Sequence, residues 1–456
     1  MSEIRKVLIA NRGEIAVRVI RTCAELGIAT VAVYSEPDAD SAWVRLADHA
    51  VRIGPGPAKR SYSYIPAIIE AARATGADAI HPGYGFLSED PDFAEVCEAE
   101  GFVFVGTPAA VLAELGDKST ARALMSAAGL PLLPGSRDTL DTAEEAQTLA
   151  DGIGYPVIIK AVAGGGGRGM RVVRDPADFA ADWQETRANA TAVFGDGRLY
   201  VERYLDSARH IEVQILADVH GTVIHLGARD CSLQRRHQKL VEESPAPGLP
   251  DELVARIGAA AVRGAEAVGY VGAGTFEFLL DPEGRFYFME VNCRLQVEHP
   301  VTEMVTGIDL VAEQLRIASG QPLSISPEAA TPRGVAIECR INAEDPNREF
   351  APAPGTLTEC VLPAGPFVRV DTHVAPGYSI PPHYDSLLAK VIVWAPDRNT
   401  AIARMRRALS ATCIRGTGIA TTTDFLHDIL DHPRFRAANH DTALIGTLTT
   451  QIRAAS

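Results

Sequence analysis

The chain has no run of basic residues, and its 43 lysines and arginines are outnumbered by 58 aspartates and glutamates, giving a net charge of −15. That balance argues against a nucleic-acid partner, whose affinity would rest on neutralising phosphates. A local basic pocket for a small anion is still allowed. Long hydrophobic runs are missing as well: no stretch reaches the roughly 18 apolar residues that a membrane span needs. The amino terminus, Met1-Ser2-Glu3-Ile4-Arg5-Lys6, leads straight into an apolar strand pattern and lacks the form of a signal peptide. The seven cysteines include no C-x-x-C pair, so neither a zinc site nor a disulfide framework is expected. Reduced thiols in a cytoplasmic enzyme fit best.

Two nucleotide fingerprints are also absent. The first strand-to-helix turn, Asn11-Arg12-Gly13, carries one glycine where a dinucleotide site needs G-x-G-x-x-G. The pattern G-x-x-x-x-G-K-[ST] does not occur, which excludes a P-loop NTPase. There is no internal repeat and no low-complexity tract.

What is present begins with strand runs at Lys6–Ala10, Thr30–Tyr34, Ala77–His81 and Phe102–Gly106, separated by helical patterns. Such alternation implies a parallel, doubly wound sheet. A second unit starts near Gly129-Leu130-Pro131, with a strand ending at Lys160, a glycine loop at Gly164–Gly169 and a strand at Met170–Val173. From Tyr204 onward the pattern is mostly antiparallel strands, with helices expected at Asp251–Val268 and Ile308–Ser319.

The most telling segment is Glu290-Val-Asn-Cys-Arg-Leu-Gln-Val-Glu298. In an extended strand, successive side chains point to opposite faces. Glu290, Asn292, Arg294, Gln296 and Glu298 are thus expected on one face, and Val291, Cys293, Leu295 and Val297 in a core. Upstream, Phe276–Leu280 and Phe286–Glu290 flank Asp281-Pro-Glu-Gly-Arg285, a hairpin signal. With Glu283-Gly284 at the tip, Glu277 falls opposite Glu290. Facing carboxylates repel at the roughly 5 Å of a cross-strand pair. A hard divalent cation such as Mg²⁺, bound by one or two carboxylates plus substrate phosphates, would remove that cost.

Other candidates gather around this pair. The glycine loop leaves backbone N–H groups open to phosphate oxygens, and Lys118 and Lys160 supply point charges. Glu202 ends an apolar strand run where a nucleoside could be read, and Gln234-Arg-Arg-His-Gln-Lys239 forms a basic cluster. Gly334–Glu344 alternates again and puts Arg340 on a polar strand face, a planar fork of donors for an anion or carbonyl.

Taken together, these segments resemble the biotin carboxylases, ATP-grasp enzymes of the acyl-CoA, pyruvate and urea carboxylases. The matching stretches are ANRGEIA at 10–16, HPGYGFLSE at 81–89, GDKS at 116–119, GGGGRGM at 164–170, QRRHQK at 234–239, RLQVEHPVTEM at 294–304 and ECRINAEDP at 338–346. The resemblance implies an α/β plus α+β architecture: a doubly wound N-terminal domain (1–115), a first ATP-grasp part with a mobile lid (116–203, lid 131–203), a second part (204–330), a C-terminal antiparallel-sheet domain (331–446) and a tail (447–456). It assigns ATP to Lys118, Lys160, Gly166, Gly167, Glu202, Arg203, Leu205, His210, Gln234 and His237, with Glu277 and Glu290. Mg²⁺ or Mn²⁺ would sit on Glu277, Glu290 and Asn292. Bicarbonate would be held by Lys239, Arg294, Gln296 and Val297, and Glu298 would take its proton. Arg340 would bind the biotin ureido oxygen, with Tyr84 near the biotin pocket.

The implied reaction is carboxylation of carrier-linked biotin through carboxyphosphate, the first half-reaction of an acyl-CoA carboxylase, with acetyl-CoA and fatty acid synthesis as the expected setting. The implied partners are a biotin carboxyl carrier protein and a carboxyltransferase on separate chains, in a homodimeric enzyme. Departures from the family pattern are Ala163, Cys293, Arg203 and the stretch after 413. None removes a charged catalytic group. A different ATP-grasp ligase would keep the loop, lysines and acids without needing Arg340 or the Arg294–Glu298 set. A non-catalytic relative would have no use for the intact charge set.

Overall fold

The computed structural model describes residues 4–136, 138–163, 169–326 and 330–455, with side chains through 450. Five parallel strands open the chain: β1 (Lys6–Ile9), β2 (Ala29–Ser35), β3 (His49–Gly54), β4 (Ala79–His81) and β5 (Val103–Phe104), in the order β3-β2-β1-β4-β5. The doubly wound expectation holds. β3 carries no apolar run because it is an edge strand with exposed His49, Ala50 and Arg52. The first βα turn is tied to the 81–85 loop by Asn11, whose Nδ2 donates to the carbonyls of Pro82 and Tyr84, both at 2.7 Å. Gly83 is required there: its φ is +64°, and a Cβ would meet Asn11 Nδ2 at 2.8 Å.

A three-stranded antiparallel sheet follows: β6 (Val157–Ala161), β7 (Met170–Val173) and β8 (Leu199–Arg203), ordered β7-β6-β8. Its apolar face is covered by helices Ala143–Ile153 and Phe179–Phe194, with Phe179 and Trp183 fully buried. The strand–loop–strand hairpin is therefore present, with Lys160 paired to Met170. Gly166 and Gly167 lie outside the described residues.

The third sheet has eight strands and runs antiparallel throughout. Its order is β13 (Phe286–Asn292), β12 (Gly272–Leu280), β9 (Arg209–Ala217), β10 (Val223–Arg235), β11 (Gln238–Ser244), β14 (Val335–Asn342), then Leu387–Ala395 and Val368–Thr372. It crosses residues 330 and 331 without a break, because β11 pairs directly with β14. Strand periodicity sorts its side chains. On β9, Ile211, Val213 and Ile215 enter the core with Ile257 and Ala261 of helix Asp251–Ala267. On β14, Ile337, Cys339 and Ile341 pack with Ile402 and Met405 of helix Arg398–Ser410. The alternate residues, His210 and Glu212 on β9 and Glu338 and Arg340 on β14, are left on the other face.

One expectation fails. The strand carrying Glu290 ends at Asn292, and residues 293–298 form a loop that enters helix His299–Thr306. Apolar alternation persists as far as Leu295, but Gln296 and Glu298 are also buried, which a strand with one wet face does not allow. The loop turns its polar groups under the sheet. All seven cysteines are free thiols.

Candidate active site

The polar face of the large sheet forms the floor of a cavity of about 850 Å³. Lys118, Lys160, Arg203, Leu205, His210, Gln234, His237, Lys239, Glu277, Glu290, Asn292, Arg294, Gln296, Val297, Glu298, Arg340 and Tyr84 all line it. Glu202 does not. It is 3% exposed and lies behind the wall, where Lys160 Nζ donates to Oε2 at 2.6 Å and Arg122 donates to Oε1.

The charges run strand by strand across the sheet: Glu290 on β13, Glu277 on β12, His210 and Glu212 on β9, Arg229 on β10, Lys239 on β11 and Arg340 on β14. Glu277 does stand opposite Glu290. Two offsets that cancel produce this register. The turn from Asp281 to Arg285 closes with Leu280 opposite Phe286, and a bulge between Glu277 and Phe278 restores the expected pairing.

Lys239 is the hub. Its ammonium donates to Glu298 Oε1 at 2.5 Å, Glu212 Oε2 at 2.6 Å and Glu277 Oε1 at 3.1 Å. Glu298 is fully buried, and its second oxygen accepts from Arg340 Nη2 at 2.7 Å. Burial and the nearby Glu212 both push the Glu298 carboxyl upward, but Lys239, Arg340 and Arg229 outweigh them and hold it below the ordinary carboxylate range. Opposite charges favour the ionised form, so Glu298 is a carboxylate rather than a neutral acid. Burial also works against ionisation of Glu277, and Lys239 and His210 reverse it strongly.

Arg294 is held by a group outside the predicted set. Glu89, from the loop after β4, accepts from Arg294 Nε at 2.8 Å and from the Cys293 backbone N–H at 2.9 Å. The rest of the Arg294 fork reaches Gln296 Oε1 at 3.0 Å and Asn292 Oδ1 at 3.1 Å. Tyr84 donates its hydroxyl to Glu14, which also pairs with buried Lys390 at 3.0 Å. Lys390 in turn donates to the Val297 carbonyl at 2.8 Å. The basic cluster divides: Arg236 and His237 form a two-residue turn, both with positive φ and both exposed, while Lys239 points inward.

Two groups of potential metal ligands lie close together, His210-Glu212-Glu277 and Glu212-Cys231-Glu298. Lys239 already occupies the first, bonding to both Glu212 and Glu277. The second shares its Glu298 oxygen with the same ammonium. The expected pair suits a hard cation better. Glu277 is ionised, and Glu290 is about a third exposed and faced by Lys118 at 3.6 Å. Glu277 is 2% exposed but lines the cavity beside the more open Glu290, and together they offer the oxygen donors that Mg²⁺ takes along with substrate phosphates. Asn292 turns its amide N–H₂ to Glu277 at 2.8 Å and its oxygen to Arg294.

Three protein-family models cover the chain: biotin carboxylase, N-terminal domain (3–112), carbamoyl-phosphate synthase L chain, ATP binding domain (117–326), and biotin carboxylase C-terminal domain (338–447). The chain is 53% identical over 440 residues to a biotin carboxylase from Nostoc sp., covering 96% of this chain and 98% of that one. The chain belongs to the biotin carboxylase family. It is a biotin-dependent ligase of the ATP-grasp class.

The solved biotin carboxylase of Campylobacter jejuni, described as a β,γ-ATP complex, matches with a TM-score of 0.95 and 48% identity over 98% of this chain and 99% of that one. The biotin carboxylase domain dimer of the Hydrogenobacter thermophilus 2-oxoglutarate carboxylase, described with MgADP, ADP and bicarbonate, matches at 0.95 and 46%, covering 98% of each chain.

Sequence reading missed Glu89, Arg122, Glu212, Arg229, Glu242 and Lys390. A signal for Glu212 existed: His210-Ile-Glu-Val-Gln214 alternates as plainly as the segment after Glu290. Arg122 and Glu202 are 80 residues apart and carry no local sign of their pairing.

Proposed function

We propose that this chain carboxylates biotin on a carrier protein, using ATP and bicarbonate, and that Glu298 is the base. The observation that carries the reading is the position of Glu298: fully buried on the cavity floor, yet clamped by Lys239 at 2.5 Å and Arg340 at 2.7 Å. Bicarbonate is a poor nucleophile. Glu298 takes its proton as a bicarbonate oxygen bonds to the γ-phosphorus of ATP and the bond to the β-phosphate breaks, releasing ADP. Arg294, Gln296, the Val297 backbone and Lys239 hold the anion for in-line attack. Lys118 and Lys160 offset charge on the transferred phosphoryl group. Mg²⁺ bound by Glu277 and Glu290 supplies further neutralisation of the phosphate oxygens when present.

Carboxyphosphate then yields CO₂ and phosphate, and the phosphate removes the ureido N–H proton of biotin. Arg340 stabilises the enolate-like oxygen that results, an electrostatic role. Closure of the sheet holding Lys160 and the glycine loop keeps water from carboxyphosphate. ADP release that depends on bicarbonate and rises with free biotin tests the reading, with Glu298→Ala inactive. An active preparation indifferent to biotin would exclude it.

The finer setting is an acetyl-CoA carboxylase in the cytoplasm, as a homodimer with carrier and carboxyltransferase on separate chains. Among the described residues, no helix is long and apolar enough to cross a membrane. Comparing carboxyl transfer to acetyl-CoA, propionyl-CoA and pyruvate, with partner chains added, decides the acceptor.

A further inference from the structure

Beside Glu298 lies a pair of acids that the reaction above does not use. Glu242 on β11 and Glu338 on β14 are direct cross-strand partners, and both are fully buried. None of their four carboxylate oxygens makes a hydrogen bond. Glu242 Oε1 is 2.6 Å from Arg340 Nη2, in a geometry that makes no hydrogen bond. The same nitrogen donates to Glu298 Oε2 at 2.7 Å. Arg340 therefore stands between the base and a second carboxylate, and a third carboxylate lies behind that one.

Two carboxylates facing each other across strands in a dry interior stay ionised where a cation bonds to both, as Lys239 does for the cross-strand pair Glu212 and Glu277. Among the described residues no cation bonds both Glu242 and Glu338, so one of them takes a proton. The charged groups around the pair are Arg340, Lys390, Lys239, Glu298 and Glu212, with the thiols of Cys231 and Cys339. Lys390 does not neutralise Glu338 by a hydrogen bond, since its ammonium goes to the Val297 carbonyl and Glu14. Burial, with Glu242 adding to it, drives Glu338 well above the carboxylate range against Lys390 and Arg340. Burial brings Glu242 to about 7, with Arg340 opposing and Glu298 assisting.

We propose that Glu338 is a standing neutral acid and that Glu242 is the acceptor to which Glu298 passes the bicarbonate proton. When Arg340 turns toward the biotin ureido oxygen, it leaves both Glu298 and Glu242. The acid proton moves from the Glu298 carboxyl to the Glu242 carboxylate, directly or through one water. Glu298 becomes a carboxylate again, Glu242 becomes a neutral acid, and no heavy-atom bond changes. Glu242 gives the proton to water once the products leave. Glu338 is a positioning residue: as a neutral neighbour it lets Glu242 cycle without a second buried anion beside it. The inference rests on Glu298 being the base.

Infrared difference spectroscopy of the ligand-free protein in H₂O and D₂O tests the ground state. A protonated, weakly hydrogen-bonded carboxyl band is expected at alkaline pH, above the point where Glu242 ionises, and it should disappear in Glu338→Gln. Steady-state kinetics tests the relay. Glu242→Gln should lower kcat for bicarbonate- and biotin-dependent ATP cleavage by about a hundredfold, in the range for loss of a proton acceptor. The bicarbonate KM should stay near wild type and the solvent deuterium isotope effect on kcat should grow, with partial rescue by Glu242→Asp. Absence of the carboxyl band in wild type overturns the proposal. So does a Glu242→Gln enzyme with wild-type kcat and pH profile. If wild type shows the band but no bicarbonate-dependent turnover, the assignment of Glu298 and the relay fall while the neutral Glu338 stands.

Discussion

The ammonium of Lys239 lies 2.5 Å from the Glu298 carboxylate, and the same ammonium touches Glu212 and Glu277. One cation thus ties the proposed base to the proposed metal ligand. Its neutralisation should disturb both.

Lys239→Gln removes a charge that holds Glu298 below the ordinary carboxylate range. A depressed folded value means that Glu298 is ionised at neutral pH and loses its function only on acidification. Without Lys239 the acidic limb of the kcat/KM profile for bicarbonate should move to higher pH. A limb that stays in place would separate Glu298 from that limb.

Arg340 bridges two buried acids, Glu242 and Glu298. Arg340→Ala leaves both without their shared cation, and the cost should be about 3–5 kcal/mol. Arg340→Lys should lose less stability yet still lose most of the biotin-stimulated rate, because an ammonium lacks the planar fork of donors that Arg340 would present to the ureido oxygen. Thermal unfolding and turnover measured on the same samples distinguish the two losses.

Glu89 reaches Arg294 from the first domain. Glu89→Gln frees one arm of the arginine while leaving the phosphate-side residues untouched. A rise of about tenfold in the bicarbonate KM is expected, with the ATP KM nearly constant. Equal changes in both KM values would point to a wider rearrangement.

Glu290 is the more open of the two facing acids, with Lys118 as its ion-pair partner. Glu290→Gln should raise the Mg²⁺ concentration for half-maximal activity by about tenfold or more, because ligand charge sets affinity for a hard cation. Chelation of the metal should abolish ADP release in the unsubstituted enzyme. Titration of Mg²⁺ at fixed ATP supplies the measurement.

Local pattern carried most of the architecture. Alternating strands and helices announced the parallel sheet, and period-2 alternation placed Arg340 on the polar face of β14. The alternation after Asn292 misled, because a loop diving under a sheet can also place every second residue inward. Register at Glu277 and Glu290 was reached despite a wider turn, since a bulge adds back the residue that the turn displaced. The ion pairs were the illegible part. Glu202 reads as a strand-end acid, but its partner Arg122 comes from a helix 80 residues earlier. Only the packing of one element on another reveals such a pair.

The continuous pairing of β11 with β14 has a consequence for dissection of the protein. Cutting the chain near residue 331 would not liberate two self-sufficient pieces. It would strip the amino-terminal fragment of a neighbouring strand and leave the backbone of Val241 to Ser244 as a bare edge, open to pairing with other molecules. Fragments divided there should precipitate, and co-expressing both halves should restore a soluble complex.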